Sequence, residues 1–397
     1  MVTADLLDAA RAIEPVMIED RRRLHSHPEL AYEEEQTSGL VRSRLEELGI
    51  SFRSGVAKTG VIATIKGAMG DGPCVLLRAD MDALPIDERS GVQFASKIPG
   101  VMHACGHDPH TAMLLGAARL LLDRRSLFAG TVKLMFQPAE EGAGGAPRMI
   151  EADLLTDPVV DAAFALHVRP NLAAGKVACF AGPQLAGADA FTITIEGRGG
   201  HAAEPHRTVD PVVVGAHVVV ALQTLVAREV DPAARAVLTL GVFNAGERFN
   251  VIADRAVIKG TIRTLDHDVF LHLEQRMREV VTGVASALRA TARVDLLGRC
   301  PPLVNESAMA EHMATTARSL LGTDSVVTLE PEMWAEDFAF VLEKVAGAML
   351  WLGVKSADWA EPKAIQTAEF DLDESALPIG GSVMAGVALD YLKHANS

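Results

Sequence analysis

Between Gly60 and Pro170 the chain alternates apolar runs with helical ones, and this alternation constrains the fold more than any other feature. "GVIATIKG", "PCVLLRAD", "GTVKLMFQP" and "DAAFALHVRP" read as strands, and "HTAMLLGAARLLLDRR" reads as a helix between the second and third. The run "PCVLLRAD" suits a strand buried on both faces. Strand–helix–strand order predicts an α/β fold, a central, mostly parallel sheet flanked by helices. Residues 5–25 and 33–48 predict two amphipathic helices ahead of it, separated by a turn at Pro28.

Near Gly182 the pattern changes. "DAFTITIEGRG" alternates like a half-exposed strand, followed by helix, strand, strand, helix ("DHDVFLHLEQRMREVVTGVASALRA") and strand ("TARVDLLG"). That βαββαβ order predicts a ferredoxin-like α+β domain of about 115 residues. After "RCPPLVN" the α/β pattern resumes and closes in the helix "LPIGGSVMAGVALDYLKH". The expected organisation is a first part of the main domain at 1–183, an inserted domain at 184–299 and a second part at 300–397. A length of 397 residues suits two domains.

In open α/β sheets, functional groups gather at the carboxyl ends of the strands. "VLLRADMDALP" ends in Asp80 and Asp82, "KLMFQPAEEG" in Glu140 and Glu141, and "AAFALHV" in His167. "GVMHACGHDPHTA" places His103, Cys105, His107 and His110 in a loop entering a helix, although the chain has only four cysteines and thirteen histidines. Cys105, His107, Glu141 and His167 form a thiolate, imidazole and carboxylate set suited to a divalent transition metal, and Cys105 could bridge two ions. Singly, each has a structural reading: a buried small hydrophobe, a satisfied core histidine, a solvated acidic turn. Their joint appearance at successive strand ends favours the metal site. Of two adjacent glutamates, one can bind metal while the other exchanges protons with water and a leaving amine, the layout for metal-assisted amide hydrolysis. His103 and His110 are expected to orient the loop.

With 37 basic and 52 acidic residues the net charge is −15, which argues against nucleic acid or an anionic membrane as partner. The triplet Arg21 to Arg23 reads as a solvated helix face. The longest uncharged stretch, Pro211 to Ala227, has 17 residues, short of the roughly 20 that a membrane span needs. The first 20 residues carry acids and no apolar signal region, and the cysteines show no CxxC pairing, so a reduced, cytoplasmic setting is expected.

Taken together, "LHSHPELAYEE", "LLRADMDALPI", "MHACGHDPHTAMLLGAA", "FQPAEEGAGGA", "GRGGHAAEPHRTVDP", "FNVIAD", "GTIRT", "EDFAF" and "FDLDESALPIG" resemble, nearly end to end, the aminoacylase–carboxypeptidase metallohydrolases. Within them the chain is similar to the amidohydrolase branch of hippurate, auxin-conjugate and N-acyl-L-amino acid hydrolases. The resemblance implies Cys105, His107, Glu141 and His167 as ligands of one or two ions per subunit (zinc, manganese, nickel or cobalt) and Glu140 as general base. It implies His201 as an oxyanion-stabilising histidine, often serving the partner subunit's site. Asn250 and Arg263 fall where a substrate carboxylate would be held, although an ordinary salt bridge would also explain Arg263. It further implies a homodimer through the inserted domain. One position departs from the pattern: where the family places a fifth ligand histidine, four residues before Phe370, this chain has Gln366. Its neutral amide oxygen is a poorer partner than imidazole for zinc-like ions, so a weakened second site is expected.

The expected activity is hydrolysis of N-acyl amino acids to a carboxylic acid and a free amino acid. The alternatives are a dipeptidase or carboxypeptidase, and a degenerate homologue that binds metal and amide without turnover. Met113, Trp334, Phe338 and the "GAGGA" loop at Gly142 to Ala146 are candidates for an acyl pocket or for core.

Overall fold

The computed structural model describes residues 5–142 and 144–394. The chain divides into two compact units, one formed by Met1–Gly182, Val304–Leu329 and Phe340–Ser397, the other by Pro183–Leu303 and Glu330–Ala339. The expected insertion at 184–299 lies within the second unit. Residues 330–339, expected in the flanking part, join it instead: Glu332 N donates to Gln184 O and Arg263 Nη1 to Met333 O, which tie the segment to that unit.

The first unit opens with α1 (Leu6–Ala12), α2 (Glu14–Ser26) and α3 (Glu35–Glu47). The single helix expected over 5–25 is broken at Ile13, because Pro15 lacks an N–H and fits only the first turn of a new helix. The strands that follow are β1 (Ser51–Val56), β2 (Gly60–Lys66), β3 (Cys74–Asp80), β4 (Thr131–Gln137), β5 (Ala162–Ala173) and β6 (Val177–Ala178). Helices α4 (His107–Asp123) and α5 (Gly145–Glu151) lie between them in sequence. Next come β7 (Gly182–Leu185), β8 (Gly187–Glu196), β9 (Gly200–His201), α6 (Pro211–Thr224), β10 (Ala236–Ala245), β11 (Val251–Ile252), β12 (Arg255–Thr264), α7 (His267–Ala287) and β13 (Thr291–Leu296). The chain returns through β14 (Leu303–Asn305), α8 (Ser307–Leu321), β15 (Val326–Val327), β16 (Gly347–Lys355) and the closing helix Leu377–His394.

The main sheet runs β1-β2-β4-β3-β5-β16-β6-β15. Its centre, β4-β3-β5-β16, is parallel, and β1 and β2 add an antiparallel edge. All seven residues of β3 are buried, as a strand covered on both faces requires. Because β4, β3 and β5 are parallel neighbours, Gln137, Asp80 and the His167 end of β5 face the same edge of the sheet. The second unit has the all-antiparallel order β10-β12-β8-β13, the ferredoxin-like arrangement, with Val214, Val218 and Leu222 of α6 and Phe270, Leu273 and Met277 of α7 packed into its core.

Helix α6 continues through a π-helical turn to Glu229, so its helical run is longer than the uncharged stretch alone. By length and composition that run and Glu374–Lys393 could each cross a membrane, but most of the second is buried in the first unit's core.

A buried charge cluster joins α2 to the first turn of α4. Arg21, expected on a solvated face, is 1% exposed; its Nε donates to Asp108 Oδ2 at 3.0 Å and its Nη1 to Glu374 Oε1 at 2.9 Å. One turn on, His25 places Nδ1 2.9 Å from Asp108 Oδ2 and Nε2 3.1 Å from Glu88 Oε1. Burial alone would push the His25 imidazole down, but the Asp108 charge and the two carboxylate contacts outweigh it and raise its pKa to about 9. Raised in the folded state, His25 contributes stability fully present below pH ~6.5 and lost as pH rises through about 9. Urea unfolding should therefore show stability falling between those limits by something on the order of 3 kcal/mol. That slope should flatten in His25→Gln; an unchanged slope would mean the imidazole is not charged in the fold.

Candidate metal centre

The loop entering α4 carries Cys105, Gly106 and His107. Gly106 has φ 84°, the left-handed region that glycine adopts without cost, and a Cβ there would lie 2.5 Å from Val168 Cγ2. The turn thus brings His107 against β5. Across it, the Cys105 Sγ lies 3.7 Å from His167 Nε2. His167 Nδ1 donates to its neighbour's carbonyl, Val168 O, at 2.9 Å, so its Nε2 keeps a lone pair toward the thiol. Donor atoms of Cys105, His107 and Glu141 lie within 4.8 Å of one another.

The surrounding carboxylates have other commitments. Asp80 receives Arg78 Nη1 at 2.7 Å and His110 Nδ1 at 2.6 Å, and Val168 N–H donates to His110 Nε2 at 2.9 Å. Both ring nitrogens of His110 are therefore used in bracing β3 against β5. Asp82 accepts the backbone N–H of Glu140 at 2.9 Å and of Glu141 at 3.0 Å, which fixes the backbone from which both side chains project. The preceding residue, Ala139, has φ 57° and donates its N–H to the buried Glu34, whose other oxygen accepts from Thr59 Oγ1.

These residues fit a divalent cation. Among the described residues neither ring nitrogen of His107 has a hydrogen-bond partner, although the ring is buried with Asp82 Oδ1 3.3 Å and Asp80 Oδ2 3.5 Å away. Burial pushes the Cys105 thiol and the Glu141 carboxyl up and the His167 imidazole well down, whereas the nearby Asp80 and Asp82 carboxylates outweigh burial and raise the His107 imidazole. The charge facing these donors is therefore carried by a ring that a metal ion would have to deprotonate. Thiolate, imidazole and carboxylate together are the chemistry of a transition-metal site.

The structure thus brings together Cys105, His107, Glu141 and His167, with Glu140 beside them: its Oε2 is 3.9 Å from His107 Nε2. His201 and Asn250 lie in the second unit, joined by the β9–β11 ladder: His201 pairs with Val251, and Ala202 N donates to Asn250 O. Ala203 N–H donates to His201 Nδ1 at 3.0 Å, which leaves Nε2 of this exposed ring as its N–H donor. Arg263 does not join them. It sits near the far end of β12, roughly 26 Å along the strand from its start.

Other expectations resolve as follows. His110 braces the site, whereas His103 is buried without a hydrogen-bond partner among the described residues and packs 6.4 Å from the His25 ring. Burial lowers the His103 pKa to about 4, which keeps the ring neutral. Met113 and Phe338 are core and Trp334 is exposed. Ala143, in the loop after Glu141, lies outside the described residues. Sequence reasoning assigned no role to Asp82, Asp108, Arg21 or His25. The only local signal was the spacing of Arg21 and His25 four residues apart, on one helix face.

The family model for peptidase family M20/M25/M40 matches residues 76–390. The chain belongs to that family. It is 42% identical over 380 residues to the Arabidopsis thaliana IAA-amino acid hydrolase ILR1-like 4, covering 95% of this chain and 86% of that protein. It is 41% identical over 366 residues to the N-acetyl-L-cysteine deacetylase of Bacillus subtilis, covering 92% and 85%. Among solved structures it resembles, with TM-score 0.83 and 36% identity over 96% of this chain and 99% of that one, the Bacillus subtilis YXEP protein, described as a dinuclear metal-binding peptidase of the M20 family. This M20 chain is a metallohydrolase of amide bonds.

Replacing Gly106 tests the turn. Gly106→Ala should lower unfolding free energy by about 1–3 kcal/mol and reduce metal retained after dialysis. Native stability and native metal content in that variant would show that the turn tolerates a side chain.

Proposed function

We propose that the protein hydrolyses the amide bond of N-acyl amino acids, releasing a carboxylic acid and a free amino acid, with Glu140 as the proton-transferring group. The observation that carries this reading is the Asp82 carboxylate. By holding the N–H groups of both Glu140 and Glu141, it fixes the backbone from which two adjacent carboxylates project, Glu141 within the donor cluster and Glu140 beside it. The names of the relatives at about 40% identity support the substrate class.

When bound, a divalent ion supplies Lewis acidity, acidifying water and polarising the amide carbonyl. Cys105, His107, Glu141 and His167 would supply the ligands of one or two such ions; zinc, manganese, nickel and cobalt all suit that donor set. Glu140 accepts the proton of the attacking water and returns it to the departing amine nitrogen, so the amino acid leaves neutral at that atom. His201, whose Nδ1 accepts a backbone N–H and whose Nε2 therefore carries the proton, donates a hydrogen bond to the developing oxyanion. Asn250 and Arg263 stand apart within one chain, so they are proposed to hold the substrate carboxylate from different subunits of a dimer, Arg263 from one and Asn250 from the other.

Since His201 and Asn250 sit on the second unit, we further propose a homodimer in which that unit completes a site of the partner subunit. The exposed apolar side chains Val213 and Val220 of α6 and Val237, Val242 and Phe243 of the edge strand β10 support such an interface. Among the described residues the cysteines form no disulfide, in keeping with a reducing, cytoplasmic setting.

Glu140→Gln should lose about 10²–10⁴-fold in kcat on an N-acyl amino acid while keeping its metal. A panel of acetyl, aryl and dipeptide substrates separates the amidohydrolase from a peptidase, and no turnover of any of them would leave only a binding role. Mixing inactive Glu140→Gln with inactive His201→Ala chains should restore up to roughly a quarter of native activity if His201 crosses between subunits. No recovery after verified exchange of subunits would reject the shared site.

A further inference from the structure

We propose that this site holds one divalent ion tightly, among Cys105, His107 and Glu141, and that Gln366 leaves a second ion beside it only weakly held. The inference rests on the metal-site reading above and concerns the number of ions, not the reaction.

The donors that are not otherwise committed are few. Cys105, His107 and Glu141 form one compact set, with their donor atoms within 4.8 Å of each other. A second ion sharing Cys105 would find the lone pair of His167 Nε2, 3.7 Å from Sγ. Asp80 is already engaged by Arg78 and His110, and Asp82 by the backbone of Glu140 and Glu141. His110 has no free nitrogen. The second position therefore offers a shared thiolate and one imidazole, short of the four donors that a zinc-like ion prefers.

Gln366 could have supplied another donor, but its local structure gives it a different task. Its backbone N–H donates to Ala104 O at 2.7 Å, pinning it to the residue before Cys105. Its φ of 58° is left-handed, an unfavourable conformation for a residue with a side chain, which the fold imposes here. From this position its Nε2 lies 3.4 Å from both oxygens of Glu141. An amide nitrogen has no lone pair for a cation; it acts as a donor to the carboxylate. Turning the carbonyl oxygen inward would give up both contacts and present a neutral oxygen, a weaker donor than imidazole to a zinc-like ion and one without the charge of a carboxylate for manganese. Gln366 thus steadies Glu141 as a ligand of the first ion.

The test counts ions directly. Chelator-stripped full-length protein is reloaded with excess Mn(II) or Zn(II), dialysed against metal-free buffer and assayed for metal per chain. Isothermal titration gives the affinities, and Mn(II) electron paramagnetic resonance reports whether ions are adjacent. Wild type should retain one ion, give the spectrum of isolated Mn(II), and bind a second at least ~10-fold more weakly. Gln366→His, a residue that tolerates left-handed backbone better than most, should retain two ions and show spin coupling between them. Two ions retained with equal affinity by wild type, or a histidine variant still holding one, would overturn the proposal while leaving the metal site intact. No ion retained by either protein would remove the metal site itself, and the proposal with it.

Discussion

Two buried aspartates hold the turn on which the site depends. Asp108, the residue after His107, is locked between Arg21 and His25 of α2, and Asp80, at the end of β3, is locked between Arg78 and His110. Each is a buried charge that would cost several kcal/mol if left alone, so its partners are as necessary as the carboxylate itself. Between them they fix the start of α4 against β3 and β5. Cys105 and His107 then face His167 and Glu141 without those four side chains having to hold one another.

The electrostatics follow from this division. Among the described carboxylates of the cleft, Asp80 and Asp108 are neutralised by arginine and histidine, and Asp82 is satisfied by backbone N–H groups. Cys105 and Glu141 lie beside the His107 imidazole, which favours their charged forms, but burial outweighs it and pushes both toward their protonated forms. A divalent ion reverses that balance by taking the place of the protons, which couples metal binding to proton release. His167 is already prepared for it, since burial keeps the ring neutral and its Nδ1–H is spent on Val168 O.

Much of this was legible in one dimension. Strands buried on both faces read as continuous apolar runs, so β3, β4 and β5 could be placed, and with them the strand ends that bear Asp80, Glu141 and His167. The βαββαβ unit was legible for the same reason, since its periodicities are local. Arg21 was not. Arginine on a helix is usually solvated, and its burial here depends on Asp108 and Glu374, 87 and 353 residues away. The role of Asp82 was hidden likewise, because a carboxylate that caps two distant N–H groups looks in sequence like any other acid. Residues 330–339 join the second unit through hydrogen bonds to Gln184 and Arg263 that no local pattern announces.

The sequence by itself determined which donor atoms exist and at which strand ends they stand, since side-chain chemistry and hydrophobic periodicity are properties of neighbouring residues. The tertiary structure alone decided which of those donors are free. It commits Asp80, Asp82 and His110 to bracing, leaves Cys105, His107, Glu141 and His167 available, and turns the Gln366 amide toward Glu141. The reason is physical: a polar group is available to a ligand only when no other partner has claimed it, and in this fold the claims come from residues far apart along the chain.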